Sequence, residues 1–183
     1  MKKLLLILIA STCIALIAGA QEKGSIHIGA GIDGAFPLGD FGEGYGFGIG
    51  ASAKGMYGIN DAGQATLTLG FLRFGMKDGN ELFSGSTSLI PVLVGYRHRF
   101  SDLYAEGQVG LTAVRTSIKI KDAGLASLAG LSASESATHF GYAVGAGYLM
   151  GNLDLGLRFQ GVAAEGGSLN FVALRVAYNF QLK

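Results

Sequence analysis

The sequence predicts an all-β protein that closes as an antiparallel up-and-down transmembrane β-barrel of about eight strands. Three observations predict this fold class: apolar and small or polar residues alternate in many segments, the composition is strongly apolar, and no second long apolar run is present. Hydrophobic residues make up 49% of the chain and charged residues 15%, and the mean hydropathy is +0.40. Because no run after residue 20 approaches the ~20 residues of a membrane helix, such a chain enters a membrane as a closed barrel.

The first twenty residues have the three parts of a secretory signal peptide. Lys2 and Lys3 provide a cationic start, an apolar run follows, and small residues precede the predicted cleavage after residue 20. An uncleaved membrane anchor is the alternative, but two hydroxyl residues interrupt the run and no basic cluster follows it. We therefore expect a signal peptide over 1–20 and a mature barrel domain over 21–183. The lone Cys13 lies inside the predicted signal, so the mature domain has no disulfide.

Alternation is clearest over 153–160, where every odd position is large and apolar and the even positions are Asp, Gly, Arg and Gln. A strand places these two sets on opposite faces. The same pattern predicts further strands near Ile26, Tyr45, Leu103, Phe140 and Val172.

Two further segments alternate less regularly. In residues 65–77 the apolar positions change face partway, which predicts a β-bulge near Phe71 and Leu72. Residues 88–100 are apolar on both faces, and we expect the branched residues to face outward. In that arrangement Arg97 and Arg99 point inward.

The predicted connections alternate between short and long. The short ones are 60–63, 101–102 and 151–152, and the long ones are 34–43, 78–87, 116–137 and 164–168. Short periplasmic turns and long outer loops are the asymmetry of outer-membrane barrels. The chain termini therefore belong on the periplasmic side.

The two faces also differ in the way a membrane barrel requires. Large apolar residues occupy one face, while glycine, alanine and a few charges occupy the other, which is the reverse of a soluble carrier barrel. The predicted lumen charges are Lys54, Glu106, Asp154, Arg158 and Arg175, with Arg73, Arg97 and Arg99 as further candidates. They form either a filled network or a charged constriction in a solute path. A lumen of eight strands is about wide enough for side chains alone, which favours a network, for example Glu106 with Arg158 or Arg175.

Aromatic residues near the periplasmic strand ends predict an interfacial girdle. Its members are Tyr57, Tyr96, Tyr148, Tyr178 and Phe180. Phe100 and Tyr104 fall at the same level. Tyr104 occupies a position that faces the lumen in the alternation of its strand, whereas a girdle residue faces lipid. This predicts an offset at the start of the strand.

Sequence patterns typical of chemistry are weak, and we expect no catalytic, cofactor or metal site. Gly29–Gly34 matches G-x-G-x-x-G, but a turn rather than a helix follows it. His139 lies near Ser134, Glu135 and Ser136 at the outer rim, a proximity that is common in a serine-rich loop. Without Lys2 and Lys3 the chain has 12 basic and 13 acidic residues, and this net charge of −1 argues against a nucleic-acid partner.

Three segments resemble a known family. These are Phe36–Phe41, Tyr45–Gly48 and Ile90–Arg97, which resemble the outer-membrane β-barrel domain family abundant in Bacteroidota. In general shape the chain is also similar to small OmpX- and OmpA-type eight-stranded barrels. Tyr178-Asn-Phe180 resembles the aromatic C-terminal signal read by the barrel-assembly machinery, although three residues follow Phe180.

The resemblance implies a cell outer membrane location in a Gram-negative envelope. It also implies outer-membrane lipid, lipopolysaccharide and the barrel-assembly machinery as partners. We expect a non-enzymatic barrel with a structural, envelope-integrity or surface-interaction role. The alternatives are a narrow porin-like channel and a barrel enzyme that modifies lipid A or peptides. The loop over 116–137 is the candidate contact with an extracellular partner, and three leucines in it recur at the spacing of a helical turn.

Overall fold

A computed structural model describes residues 23–77, 83–120, 133–164 and 167–182. Eight strands run in chain order: β1 (Ile26–Leu38), β2 (Tyr45–Gly58), β3 (Gly63–Met76), β4 (Phe83–Phe100), β5 (Leu103–Ile120), β6 (Ala133–Met150), β7 (Leu153–Ala164) and β8 (Gly167–Gln181). A short helix, α1 (Gly39–Gly44), connects β1 to β2. Each strand pairs antiparallel with the next, and β8 pairs with β1, so the sheet closes. This confirms the predicted fold class.

The two ends of the barrel differ in their connections. One end, called the turn end here, carries the described chain ends and the short connections 59–62, 101–102 and 151–152. In the first of these, Asn60 Oδ1 accepts hydrogen bonds from the backbone N–H groups of Ala62 and Gly63, at 3.1 and 2.7 Å. In the other two, Ser101 and Gly151 take left-handed conformations with φ of 62° and 60°. The opposite end, the loop end, carries α1 and the three remaining connections.

The outer wall carries the large apolar side chains that alternation predicts. Ile49, Val94, Leu111 and Val144 are all more than half exposed on it, because lipid rather than protein covers this surface. In β4 the outward residues are Ile90, Val92, Val94 and Tyr96, and Arg97 points inward, as expected from the sequence. No helix in the described ranges has the length and apolar character to cross a membrane.

The predicted bulge near Phe71 and Leu72 is wrong. Register between β2 and β3 is continuous from Gly48↔Phe74 to Gly58↔Gln64, and the irregularity lies at Tyr45–Gly48 instead. Leu72 and Phe74 are therefore buried inside the barrel, and Arg73 is exposed on the outer wall. The apparent change of face arose because the lumen itself becomes apolar at the loop end.

Two other predicted features also differ. Strand β1 continues to Leu38, beyond the predicted loop start at residue 34, and α1 follows it directly. Strand β5 has no offset at its start, since its register with β6 is continuous from Leu103↔Tyr148. Tyr104 is consequently a lumen residue that is 5% exposed, and its placement at the level of the girdle on the outer wall is wrong.

Candidate functional site in the filled lumen

Glu106 on β5 joins three strands across the lumen. Its Oε2 accepts from Lys54 Nζ at 2.5 Å and from Arg97 Nη2 at 3.1 Å. Its Oε1 accepts from Gln108 Nε2 at 3.1 Å, and that amide also donates to Thr68 Oγ1 at 2.7 Å. Lys54 lies on β2 and Arg97 on β4, so this carboxylate ties β5 to its neighbour and to a strand across the barrel.

Asp154 on β7 is the second buried carboxylate. Its Oδ2 accepts from Arg97 Nη1 at 3.1 Å and from Arg175 Nη1 at 3.4 Å. Its Oδ1 accepts from the Tyr104 hydroxyl at 2.6 Å. The Arg97 guanidinium thus bridges Glu106 and Asp154, and its Cζ lies 3.7 Å from the centroid of the Tyr104 ring, a cation–π geometry.

Asp33 on β1 is the third carboxylate, a lumen charge that was not predicted from the sequence. Ser52 Oγ donates to Asp33 Oδ2 at 2.6 Å and accepts from Arg175 Nε at 3.0 Å. Arg158 Nη2 forms an ion pair with Asp33 Oδ1 at 3.4 Å. The alternation of β1 indicates that Asp33 faces the lumen, because Asp33 shares a face with the glycines of the strand rather than with its isoleucines.

These nine side chains are called the lumen network: Asp33, Ser52, Lys54, Arg97, Tyr104, Glu106, Asp154, Arg158 and Arg175. All five charges named from the sequence lie in it. Their pairing differs from the expected example: Glu106 binds Lys54 and Arg97, whereas Arg158 pairs with Asp33 and Arg175 with Asp154. Arg73 is outside the barrel, so its candidacy as a lumen charge is wrong.

Small residues make room for this network. A methyl group at Gly147 would overlap the Tyr104 ring, and one at Gly145 would press on the Arg158 side chain. One cavity among the described residues lies within the network, has a volume of about 20 Å³ and is lined by network residues such as Lys54, Glu106 and Arg175. That is about the space of one water molecule, so the middle of the lumen is filled.

A separate apolar cluster closes the loop end, and it is called the mouth cluster here. It consists of Ala35, Phe41, Leu72, Phe74, Leu89, Phe171 and Ala173. Phe41, carried by α1, packs edge-on to Phe74 with 4.9 Å between ring centroids, and Phe74 lies 5.5 Å from Phe171. The short connection between β1 and β2 therefore folds back into the barrel and covers the network.

The predicted girdle residues lie near the turn end of their strands. Tyr57, Tyr96, Tyr148 and Tyr178 are exposed on the outer wall. Phe180 is half-buried, with its ring centroid 4.8 Å from that of Tyr178. This is the level at which an interfacial girdle would lie.

The structure places the three histidines apart from one another and from the rim serine Ser136. His139 has inward parity, opposite Thr112, whereas Ser136 is exposed on the outer wall. His27 lies inside the turn end. His98 lies outside it and packs edge-to-face with Phe100, with 4.7 Å between ring centroids. Within the described ranges no three His, Cys, Asp or Glu side chains lie close enough to hold a metal ion.

Removing Glu106 is expected to loosen the barrel. Glu106→Ala leaves Lys54 without its carboxylate and Arg97 with Asp154 alone, and both cations stay buried. The melting temperature should fall, and the folded form on unheated gels should weaken. The exposed Glu43→Ala is the matched control and should behave as wild type. Equal melting of the two variants would show that Glu106 does not support the fold.

Comparison with known proteins gives both a family and a set of structures. The sequence model of a family described as "Outer membrane protein beta-barrel domain" matches residues 4–180. No curated protein matches the chain in sequence.

Several solved outer-membrane barrels share the fold. Ail, the attachment invasion locus protein of Yersinia pestis, superposes with a TM-score of 0.65 at 19% identity, over 87% of this chain and all of Ail. The N-terminal barrel of Pseudomonas aeruginosa OprF gives 0.54 at 16% identity, over 87% of this chain and all of that domain. Neisserial surface protein A gives 0.53 at 15% identity, over 86% and 96% of the two chains.

Proposed function

Because this chain belongs to the outer membrane protein β-barrel domain family and lies in the outer membrane, we propose that it is a closed, non-catalytic barrel. In this proposal it supports the envelope and presents its loop end for contact with molecules outside the cell. The observation that carries the proposal is the filled lumen, in which a charge network lies beneath an apolar mouth cluster.

The filled lumen argues against a narrow porin-like channel. A solute would have to displace Phe41, Phe74 and Phe171 and then separate paired buried charges. Separating a buried ion pair costs several kcal/mol, so thermal motion seldom opens such a path.

The arrangement of polar groups argues against a barrel enzyme. Of the rim residues named from the sequence, Ser134 and Ser136 lie on the opposite face of β6 from His139. The lumen carboxylates are buried in ion pairs, where a substrate would not reach them. We therefore propose no catalytic residue.

A contact role is supported by the unequal strand lengths. Strands β4, β5 and β6 have 18 residues each, against 12–15 in the others. Since a membrane strand needs about 9–11 residues, these three project roughly 20 Å beyond it. We propose this projection, with the connection predicted over 116–137, as the extracellular contact; its residues 121–132 lie outside the described ranges.

Partners of two kinds are proposed. Ail of Yersinia pestis has been crystallised with the heparin analogue sucrose octasulfate and studied in a phospholipid bilayer nanodisc. By analogy, we propose outer-membrane lipid with lipopolysaccharide, and an extracellular ligand at the loop end.

Residues 1–20 remain a proposed signal peptide outside the described ranges, with 21–183 as the mature domain. Insertion by the barrel-assembly machinery and a periplasmic girdle of Tyr57, Tyr96, Tyr148, Tyr178 and Phe180 are likewise proposals.

The two parts of this role can be tested separately in cells. A strain lacking the protein should become more sensitive to detergent and lose attachment to coated surfaces. A variant with Asn-Gly in place of residues 118–135 should restore detergent resistance but not attachment, because the barrel remains while the tips of β5 and β6 and the connection between them are gone. Asn-Gly in place of Gly151 and Asn152, at the turn end, is the control and should restore both. If loss of the protein changes neither property, the proposed role is wrong.

A further inference from the structure

Two arginines lie in one row on the outer wall, near the loop end. The register pairs Arg73 on β3 with Ser88 on β4, and Ser88 with Arg115 on β5. Both arginines are exposed and have outward parity. With one strand between them, their backbones are two strand spacings apart, about 10 Å. They are called the rim arginines here.

The rim arginines mark a sharp boundary in the outer wall. The next outward-facing residues toward the turn end are Ile90, Ala113 and Thr138, which lie side by side on β4, β5 and β6. Val92 and Leu111 are the next outward-facing pair on β4 and β5. Above the boundary, Arg73 Nη2 donates to Ser86 Oγ at 3.2 Å. An arginine on the lipid face costs about 2–4 kcal/mol at the membrane midplane and little at the interface. The boundary is therefore where hydrocarbon meets the polar headgroups.

An open apolar groove lies directly below this boundary. Its volume is about 420 Å³, and it is lined by Ile90, Val92, Val94, Leu111, Ala113 and Thr138. The groove forms because Ala113 is a small residue between larger outward neighbours on β4 and β5. Its walls are almost wholly apolar, and its upper end adjoins Arg115.

We propose that this part of the outer wall binds one phosphorylated, multiply acylated glycolipid of the outer leaflet, the chemistry of lipopolysaccharide. One acyl chain lies in the groove, and a phosphate of the headgroup binds the rim arginines. The planar guanidinium suits phosphate oxygens because it donates two parallel hydrogen bonds. No acidic residue shares the row of Arg73, Ser88 and Arg115, so an anion is not repelled there. The site lies outside the lumen; it rests on the outer-membrane lipid partner proposed above and is independent of the proposed contact role.

Native mass spectrometry of the full-length mature chain in detergent tests the headgroup contact. Lipid A with two phosphates is the probe, and wild-type protein should retain one molecule per barrel. Arg73→Gln and Arg115→Gln should each weaken retention about tenfold, the loss expected for one charge-assisted contact. Lys23→Gln removes the same charge at the exposed turn end and should retain lipid A like wild type. Wild-type retention by both arginine variants would overturn the proposal.

A second pair of variants tests the groove. Ala113→Phe fills its floor with a side chain that lipid tolerates, so the barrel should fold while lipid A retention falls. Ala53→Phe makes the same change on β2, away from the groove, and should leave retention unchanged. Heat modifiability on gels checks folding of each variant. Equal retention in both variants would overturn the groove assignment.

Two lipid probes test the identity of the occupant. Lipid A without its phosphates loses both arginine contacts, so it should bind about a hundredfold more weakly than the phosphorylated form to wild type, and about tenfold more weakly to Arg115→Gln, which keeps Arg73. Phosphatidylglycerol, an anionic lipid with two acyl chains, should bind more weakly than lipid A. Equal binding of dephosphorylated lipid A would refute the arginine–phosphate contact, and equal binding of phosphatidylglycerol would refute the glycolipid.

Discussion

Asp154→Asn is expected to lower the free energy of unfolding by about 3–5 kcal/mol. Asp154 is fully buried and accepts from Arg97, Arg175 and Tyr104. The asparagine keeps the size and can still accept from the tyrosine, but two arginines lose their shared negative partner. Urea unfolding in lipid vesicles measures the loss as a lower transition midpoint.

Two further variants separate this effect from a general loss of charge. Asp61→Asn, in the exposed turn between β2 and β3, should leave the midpoint unchanged. Arg97→Gln combined with Asp154→Asn should cost less than the sum of the two single changes, because Glu106 keeps Lys54 and one of the two cations that lose Asp154 is gone, which leaves only Arg175 without that carboxylate. Additive losses would mean that the Arg97–Asp154 pair does not contribute as a unit.

Phe74→Ala is the second large expected effect. The ring of Phe74 is fully buried between Phe41 and Phe171, so its removal leaves a cavity and releases α1 from the mouth cluster. We expect a loss of about 3–5 kcal/mol, typical of a buried phenylalanine replaced by alanine. Thermal unfolding followed by circular dichroism measures it.

Phe71→Ala is the matched control on the same strand. Phe71 is exposed on the outer wall, where lipid fills the space that a smaller side chain leaves. Its loss should therefore be about 2 kcal/mol smaller than that of Phe74→Ala, the difference being the cavity term. Equal losses would indicate that Phe74 does not pack inside a closed mouth.

The alternation of residues was enough to predict the fold. In β7, for example, the outward residues from Leu153 to Phe159 are all large and apolar, and a lipid-facing wall accommodates such a face on a barrel. Connection lengths then fixed the two ends. The errors arose where the rule that apolar residues face outward fails: Leu72, Phe74 and Phe171 are apolar but point inward.

The lumen could be predicted by residue but not by partner. Parity placed Glu106, Asp154 and Arg175 inside, since each alternates with lipid-facing residues on its strand. Which charged side chains pair across the lumen depends on strand tilt and on how far each side chain extends. The sequence of a single strand determines neither. Glu106 therefore pairs with Arg97, which alternation indicated only as a further candidate, rather than with Arg158.

α1 was missed for a related reason. Six residues, Gly39–Gly44, are too few for a helical period to be visible, and their glycines are typical of a turn. Phe41 alone marked the segment as one that packs inward. Such a residue in a glycine-rich connection is compatible with a solvent-exposed loop as well as with a folded mouth.

Conductance in planar lipid bilayers tests the central claim most directly, that the lumen is closed. Wild-type barrels, inserted at a density verified by labelling, should give no stepwise ion current. The Phe74→Ala variant should also give no ion current, because the lumen network still fills the barrel below the mouth cluster. Discrete current steps from wild-type protein, increasing in number with the inserted barrels, would contradict the account and restore the narrow channel.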